Sequence, residues 1–197
     1  LKQLVAWVGE DAFFAGVQNY FSRHQWGNAV LKDFLAELEK SSGRELAGWS
    51  SVWLETAGVN TLSLDIETDD EGIITRAAMT QSAPVDWPTL RPHRIGVGIY
   101  STDHSGALVA TEAIELDIDG ASTEIPPLVG LHRGDLVLPN NGDLAYAKIR
   151  LDADSLAFAT ENLKHIADPL ARSLVWGSVW DSTRDAEIPP RTFIDLV

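Results

Sequence analysis

Residues 20–62 read YFSRHQWGNAVLKDFLAELEKSSGRELAGWSSVWLETAGVNTL. Leu31, Phe34, Leu35 and Leu38 recur at i, i+3, i+4 and i+7, which predicts one buried helical face. Asn28 is a suitable N-cap for that helix, and Gly43 a suitable C-terminal stop. A further helix carries Leu46, Trp49, Trp53 and Leu54 on one side and is expected to end at Gly58, with Trp49 and Trp53 packing inward. At Thr61 the period drops from near 3.6 to 2. Leu62, Leu64 and Ile66 then alternate with Ser63, Asp65 and Glu67, as in a half-buried strand. The stretch therefore holds a boundary between a helical part and a β part.

Before this stretch, Val5, Val8, Phe13, Phe14, Val17 and Phe21 keep helix-like spacing, so residues 1–60 read as helices, reaching to about Ala57. After it, Asp69-Asp70-Glu71-Gly72 signals a turn, with Ile73–Gln81 returning as the second strand of a hairpin. Pro84, Pro88 and Pro92 mark residues 82–92 as loop. Alternation resumes at Ile95, Val97 and Ile99, over Leu108–Ile118, at Leu136 and Leu138, and from Ala145 to Leu151. Six or seven short strands separated by Gly, Pro and Asp turns predict an antiparallel β-sandwich over residues 61–151. Its buried face is expected to include Leu64, Ile66, Val97, Ile99, Leu116 and Ile149.

From residue 152 the helical period returns. Asp154 or Ser155 is expected to cap a helix carrying Leu156, Leu163 and Ile166. Asp168-Pro169 is an N-cap followed by Pro at the first helical position, continued by Leu170, Leu174 and Val175. Pro190 opens a third helix with Phe193 and Leu196. The fold class expected is α+β in three parts.

A net charge of −14 argues against nucleic acid, since binding phosphates needs clustered Lys and Arg. No run approaches the roughly 20 apolar residues of a membrane span. With no cysteine there is no disulfide, thiolate zinc site or Cys nucleophile. The acidic surface and the missing Cys fit a cytoplasmic setting. Leu1 and Val197 both fall mid-pattern, as if cut from a longer chain.

Each candidate for chemistry has a plainer reading. His24 beside Trp26 reads as a helix-end histidine. Asp152, Asp154 and Asp69-Asp70-Glu71 lack the ligand spacing of a calcium loop and read as solvated turns. Ser82 and Ser105-Gly106 have no nucleophile motif around them. Gly96-x-Gly98 lies inside a strand with no helix following, unlike a dinucleotide site. The Trp residues at helical spacing read as core.

Tyr20-Phe21, Asn28-Ala29, Asp33-Phe34, Ser42-Gly43 with Leu46, Trp49, Trp53-Leu54 and Gly58 together resemble the end of the peptidase domain of aminopeptidase N, a zinc-dependent exopeptidase family. Leu138-Pro139-Asn140 and Tyr146-Ala147-Lys148 resemble the end of that family's β-sandwich domain. Arg172, Trp176 and Trp180-Asp181 resemble the opening of its helical-repeat domain. The resemblance covers almost the whole chain, in order. It departs at Gly58-Val59-Asn60, where many members have Gly-x-Pro. It implies the helical end of a thermolysin-like peptidase domain (1–60), an antiparallel β-sandwich (61–151) and the start of an α-helical repeat domain (152–197).

The family binds zinc through His-Glu-x-x-His on one helix and a Glu further on. None of His24, His93, His104, His132 and His165 stands in that register. The Gly-Ala-Met-Glu-Asn substrate signature is absent as well, and Met79 is the sole methionine. The resemblance thus implies no catalytic, cofactor-binding or metal residue in this segment, with zinc held elsewhere in a parent enzyme that removes N-terminal residues from peptides. Implied partners are the remainder of that polypeptide and, through it, peptide substrates, with no nucleic acid or membrane. The segment would position the helical domain over the peptidase cleft. The alternative is a stand-alone β-sandwich module recognising sugar or protein.

Overall fold

A computed structural model describes residues 1–196. Four helices come first: α1 (Lys2–Val8), α2 (Glu10–His24), α3 (Leu31–Ser42) and α4 (Ala47–Leu54). The helical run before residue 24 is two helices because Gly9 takes φ 88°, ψ 141°, a conformation that only glycine adopts without strain. Gly43 stops α3 as expected, in the left-handed region with its N–H on Glu39 O. The start of α3 differs from expectation. Val30, not Asn28, is the N-cap, and its N–H donates to Asp33 Oδ2 at 3.0 Å. A carboxylate in the first turn supplies an acceptor there and complements the positive end of the helix. Helix α4 ends at Leu54, short of Gly58. Leu4, Val8, Leu35, Leu38, Leu46 and Trp49 close a core among these helices.

Seven strands follow: β1 (Thr61–Thr68), β2 (Ile74–Ser82), β3 (His93–Thr102), β4 (Leu108–Ile118), β5 (Ser122–Glu124), β6 (Leu136–Pro139) and β7 (Lys148–Arg150). They form a sheet ordered β5-β2-β1-β7 and another ordered β4-β3-β6. The expected hairpin is β1/β2, with Leu64 opposite Met79. Asp69 Oδ1 closes its turn by accepting from the N–H groups of Glu71 and Ile73. The pairing is not purely antiparallel, as the sequence reading had it. Strand β7 runs parallel to β1, with Leu62 opposite Ile149, because the chain passes through the second sheet before returning to the first.

The two sheets share one apolar cluster, with Leu62, Leu64, Ile74 and Met79 from one and Ile95, Val97, Ile99 and Val137 from the other. Leu64, Val97, Ile99 and Ile149 are buried as expected. Ile66 and Leu116 are only half-buried. Ile66 precedes the register shift at Glu67/Thr68, and Leu116 lies on an edge strand.

The opposite face of the second sheet is buried too. Tyr100, Leu108, Leu136 and Leu138 pack with Ala159, Ile166, Ala171 and Val175. Those residues belong to or adjoin α5 (Ala153–Asn162) and α6 (Pro169–Arg184), which α7 (Pro190–Leu196) follows. Strand β6, Leu-Val-Leu-Pro, is accordingly apolar throughout, with Val137 facing one cluster and its two leucines the other. Asp168 caps α6 as expected, accepting from Leu170 N–H. The cap of α5 is Asp152 rather than Asp154 or Ser155, and Asp152 Oδ1 accepts from both of their N–H groups. Among the described residues no helix is long and apolar enough to cross a membrane.

Ile99→Ala should destabilise the chain by about 2–5 kcal/mol, because Ile99 is 1% exposed between two sheets. Urea unfolding followed by circular dichroism measures this, and an unchanged midpoint would refute the register.

Candidate functional site

The residues singled out for chemistry do not converge. His24 ends α2, tilted against Tyr20 at 5.3 Å between ring centroids, as its reading as a helix-end histidine expects. Asp152 is tied to Arg133 at 2.9 Å besides capping α5. The Ser105 hydroxyl donates to Asp103 within a β turn between β3 and β4. Ser82 is exposed at the end of β2. Gly96 faces the loop after β6, where a Cβ would stand 2.2 Å from Asn141 O. Its role is close approach of two backbones, not phosphate binding. Three tryptophans differ from the core reading: Trp176 and Trp180 on α6 are about half-exposed, and Trp26 lies fully exposed in the α2–α3 loop.

The five histidines lie on separate elements: the end of α2, β3, the β3–β4 turn, the loop before β6 and a short 3-10 turn after α5. Catalytic zinc needs about three protein ligands and one open position. Among the described residues, no group of three or more His, Cys, Asp or Glu could hold a metal ion. The described residues assemble no such ligand set.

What the structure does assemble is a buried polar joint between α4 and the sheets. Arg91, 3% exposed, sits just before β3. Its Nε donates to Val52 O at 2.9 Å, and Nη2 donates to Thr56 Oγ1 at 2.7 Å and Ala57 O at 2.8 Å. Nη1 reaches Asn60 Oδ1 at 3.4 Å. The guanidinium thus serves carbonyls at the C-terminal end of α4, where the helix leaves acceptors unpaired and its dipole is negative.

His93 is fully buried beside it, with Nε2 3.1 Å from Gln81 Oε1 and 3.3 Å from Asn60 Oδ1. The amides are fixed in turn: Asn60 donates to Thr89 O and Gln81 to Gly120 O. With two amide oxygens facing Nε2, that nitrogen carries the proton. Burial first, then the positive charge of Arg91, push the imidazole down to about 4. His93 is therefore neutral at pH 7, has no carboxylate to orient it, and meets no nucleophile.

Trp53 completes the joint. Its Nε1 donates to Pro92 O at 3.0 Å, and its ring stacks on Trp49 at 5.7 Å and meets His93 edge-on at 5.0 Å. Sequence reasoning expected Trp53 to pack inward; it is half-buried, joining helix to strand through one hydrogen bond and ring contacts. Arg91 and His93 were missed because they stand in a proline-flanked stretch, outside any periodic run.

A second joint lies between β7 and the end of α6. Arg150 and Lys148 both engage Asp185, at 2.6 and 2.5 Å, and Arg150 also pairs with Glu187. Lys148 and then Arg150 hold the Asp185 carboxyl below its ordinary range. Ser178 Oγ donates to Ile149 O from within α6. The helices on both sides are thus fixed to the sheets by polar contacts with defined geometry.

A family model described as "ERAP1-like C-terminal domain" matches residues 136–197. Aminopeptidase N of Streptomyces lividans is 53% identical over 203 aligned residues, spanning 100% of this chain and 24% of that protein. The chain is similar to aminopeptidase N along its whole length. Aminopeptidase N of Lactococcus lactis subsp. lactis is 32% identical over 69 residues, covering 35% of this chain and 8% of its own length. In fold, the chain is similar to the crystal structure of Legionella pneumophila aminopeptidase A in complex with aspartic acid. That likeness has a TM-score of 0.59 at 15% identity, covering 100% of this chain and 25% of the other. The chain spans about a quarter of the length of the Streptomyces relative.

Arg91→Lys should destabilise the chain by about 3 kcal/mol or more. An ammonium cannot reach Val52, Thr56, Ala57 and Asn60 together, and buried acceptors left unpaired cost about 1–3 kcal/mol each. Chemical denaturation checks this, and a loss under about 1 kcal/mol would contradict the capping role.

The second expectation concerns pH. The folded-state pKa of His93, about 4, lies below its ordinary 6.5, so between these values the unfolded chain binds more protons. Stability from this group is complete above pH 6.5 and is lost as pH falls toward 4, by about 3 kcal/mol. The loss across that window should shrink by this amount in His93→Gln. Parallel stability-against-pH curves for the two chains would rule it out.

Proposed function

We propose that this chain is a non-catalytic structural segment of a zinc-dependent aminopeptidase that positions a helical domain over the peptidase cleft. The observation that carries the reading is the likeness to Streptomyces lividans aminopeptidase N along the whole chain, within 24% of that relative's length. In this reading residues 1–60 are the helical end of a thermolysin-like peptidase domain. Residues 61–151 are a β-sandwich acting as spacer, and residues 152–197 open the helical domain. The parent removes N-terminal residues from peptides in the cytoplasm, with zinc held outside this segment. Its partners are the remainder of the parent polypeptide and, through it, peptides.

The two joints support a positioning role. Arg91 and Trp53 fix α4 to β3, and Arg150 and Lys148 fix β7 to α6, so the sheets transmit the orientation of one helical part to the other. A free sugar- or protein-binding module calls for polar helix faces at both ends. Here Phe14, Phe21 and Trp26 are exposed in the N-terminal helical part, and Trp176, Trp180 and Ile194 in the C-terminal one. Apolar patches of this kind are ordinarily covered by protein, which favours the segment reading.

The isolated chain should hold no stoichiometric catalytic zinc and should not hydrolyse leucyl- or alanyl-anilides. Metal analysis after dialysis and an anilide assay on host-aminopeptidase-free material test this together. One tightly held zinc per chain with chelator-sensitive turnover would overturn it.

A further inference from the structure

Asn141 is the one asparagine of the chain that glycine follows. An asparagine side-chain amide is open to attack by the next backbone nitrogen, and a following glycine, with no Cβ, hinders that nitrogen least. Asn141 and Gly142 are the central residues of a turn after β6, closed by the Asp143 N–H on Asn140 O at 2.8 Å. Gly142 is exposed, with φ 82°. Among the described residues, neither its N–H nor the Asn141 Nδ2 group donates a hydrogen bond. The attacking nitrogen and the leaving group are therefore both unengaged. The amide carbonyl is not. The hydroxyl of Tyr100, a residue 2% exposed, donates to Asn141 Oδ1 at 2.7 Å. Gly98 leaves the room in which this amide lies, since a Cβ there would stand 2.9 Å from Asn141 Cγ. The neighbouring Asn140 is committed elsewhere, its buried amide exchanging two hydrogen bonds with the backbone of Ala145.

We propose that Asn141 is a self-modification site, converting to aspartate and isoaspartate through a cyclic imide with the Tyr100 phenol as the donor that activates its amide. The Gly142 nitrogen loses its proton to solvent base and bonds to Asn141 Cγ. The negative charge that develops on Oδ1 faces the Tyr100 hydroxyl, which stabilises it as oxyanion donors do. The Cγ–Nδ2 bond then breaks and ammonia leaves. Water opens the imide at one of its two carbonyls. Opening at Cγ gives aspartate, and opening at the main-chain carbonyl gives isoaspartate. One water is consumed and one ammonia released, with no change of oxidation state. Burial and then the charge of Asp168 push Tyr100 up to about 12, so it still donates in the mildly alkaline range that favours loss of the Gly142 proton. The product matters to the fold because this turn is seated on β3. The Asn141 N–H donates to Gly96 O at 3.0 Å, and Asn141 O lies where a Cβ on Gly96 would be 2.2 Å away. In the isoaspartyl form that main-chain oxygen belongs to a carboxylate, which places a new charge against the strand. This conversion is independent of the function proposed above.

The test is to age the 197-residue chain in mildly alkaline buffer, folded and in guanidinium chloride, and to follow each asparagine by peptide mass spectrometry. Isoaspartate is counted separately by enzymatic methylation. In the folded chain Asn141 should convert before every other asparagine and yield both products, while Asn140 stays intact. Tyr100→Phe, which keeps the ring and removes the donor, should slow conversion about fivefold in the folded chain, the kinetic worth of one neutral hydrogen bond. In guanidinium chloride the two chains should convert at the same rate, because the contact with Tyr100 is gone. Gly142→Ala, which crowds the attacking nitrogen at an exposed position, should slow conversion in both conditions. Circular dichroism reports that each variant is folded. A folded chain that keeps Asn141 intact while the unfolded chain converts overturns the proposal, whatever the variants do. Equal rates for folded Tyr100→Phe and the unsubstituted chain overturn it as well.

Discussion

The guanidinium of Arg91 is the contact on which the arrangement of the chain depends. A short helix of eight residues ends at Leu54, and its last carbonyls need donors that the helix cannot supply. Arg91 brings several donors from the strand side, so the termination of α4 and the docking of that helix are one event. The guanidinium faces no carboxylate among its hydrogen-bond partners, only neutral oxygens. Its charge is spread over a fork that carbonyl dipoles solvate, which a compact ammonium could not match. Asn60 and Gln81 are held from behind by Thr89 and Gly120 carbonyls, which fixes the oxygens that accept from the Arg91 guanidinium and backbone N–H respectively.

Around this contact the apolar clusters divide the molecule into layers. One lies within the N-terminal helices, one between the sheets, and one between the second sheet and α5 and α6. Strand β3 belongs to two of them, with Ile99 facing one and Tyr100 the other. Polar joints then occur where the layers meet edge to edge and apolar area alone would leave the angle free. Hydrogen bonds with fixed donors and acceptors are directional in a way that apolar contact is not.

Much of this was legible from residue order. Leu31, Phe34, Leu35 and Leu38 marked the buried side of α3, Gly43 its end, and the change of period at Thr61 the start of β1, because each is set by local geometry. The hairpin turn at Asp69 and the cap at Asp168 were legible for the same reason. Strand β5 was not, since Ser122-Thr123-Glu124 carries no apolar alternation and is a strand only because β2 offers it an edge. The parallel β1/β7 pairing was hidden because three residues leave no sign of direction. The cap on α3 was misplaced by two residues, since Asp33 acts from inside the helix. Arg91 and His93 were invisible because burial of a polar side chain depends on partners up to 39 positions away in sequence. The sequence did show that the His-Glu-x-x-His pattern is missing, which is a matter of spacing alone.

The return of β7 to β1 has a consequence for how such a chain is made. Strand β1 pairs on one side with β2, a near neighbour in sequence, but its other edge waits for Lys148–Arg150. A nascent polypeptide leaving the ribosome therefore carries an open edge at residues 61–63 while the whole of the second sheet is synthesised. Exposed strand edges are templates for wrong pairing between chains. Ser63 and Thr61, polar and half-buried, stand at that edge, and helix α4 lies shortly before it in sequence. Vectorial synthesis thus places the helices at hand before the vulnerable edge exists, and completion of the sheet is the step that seals it.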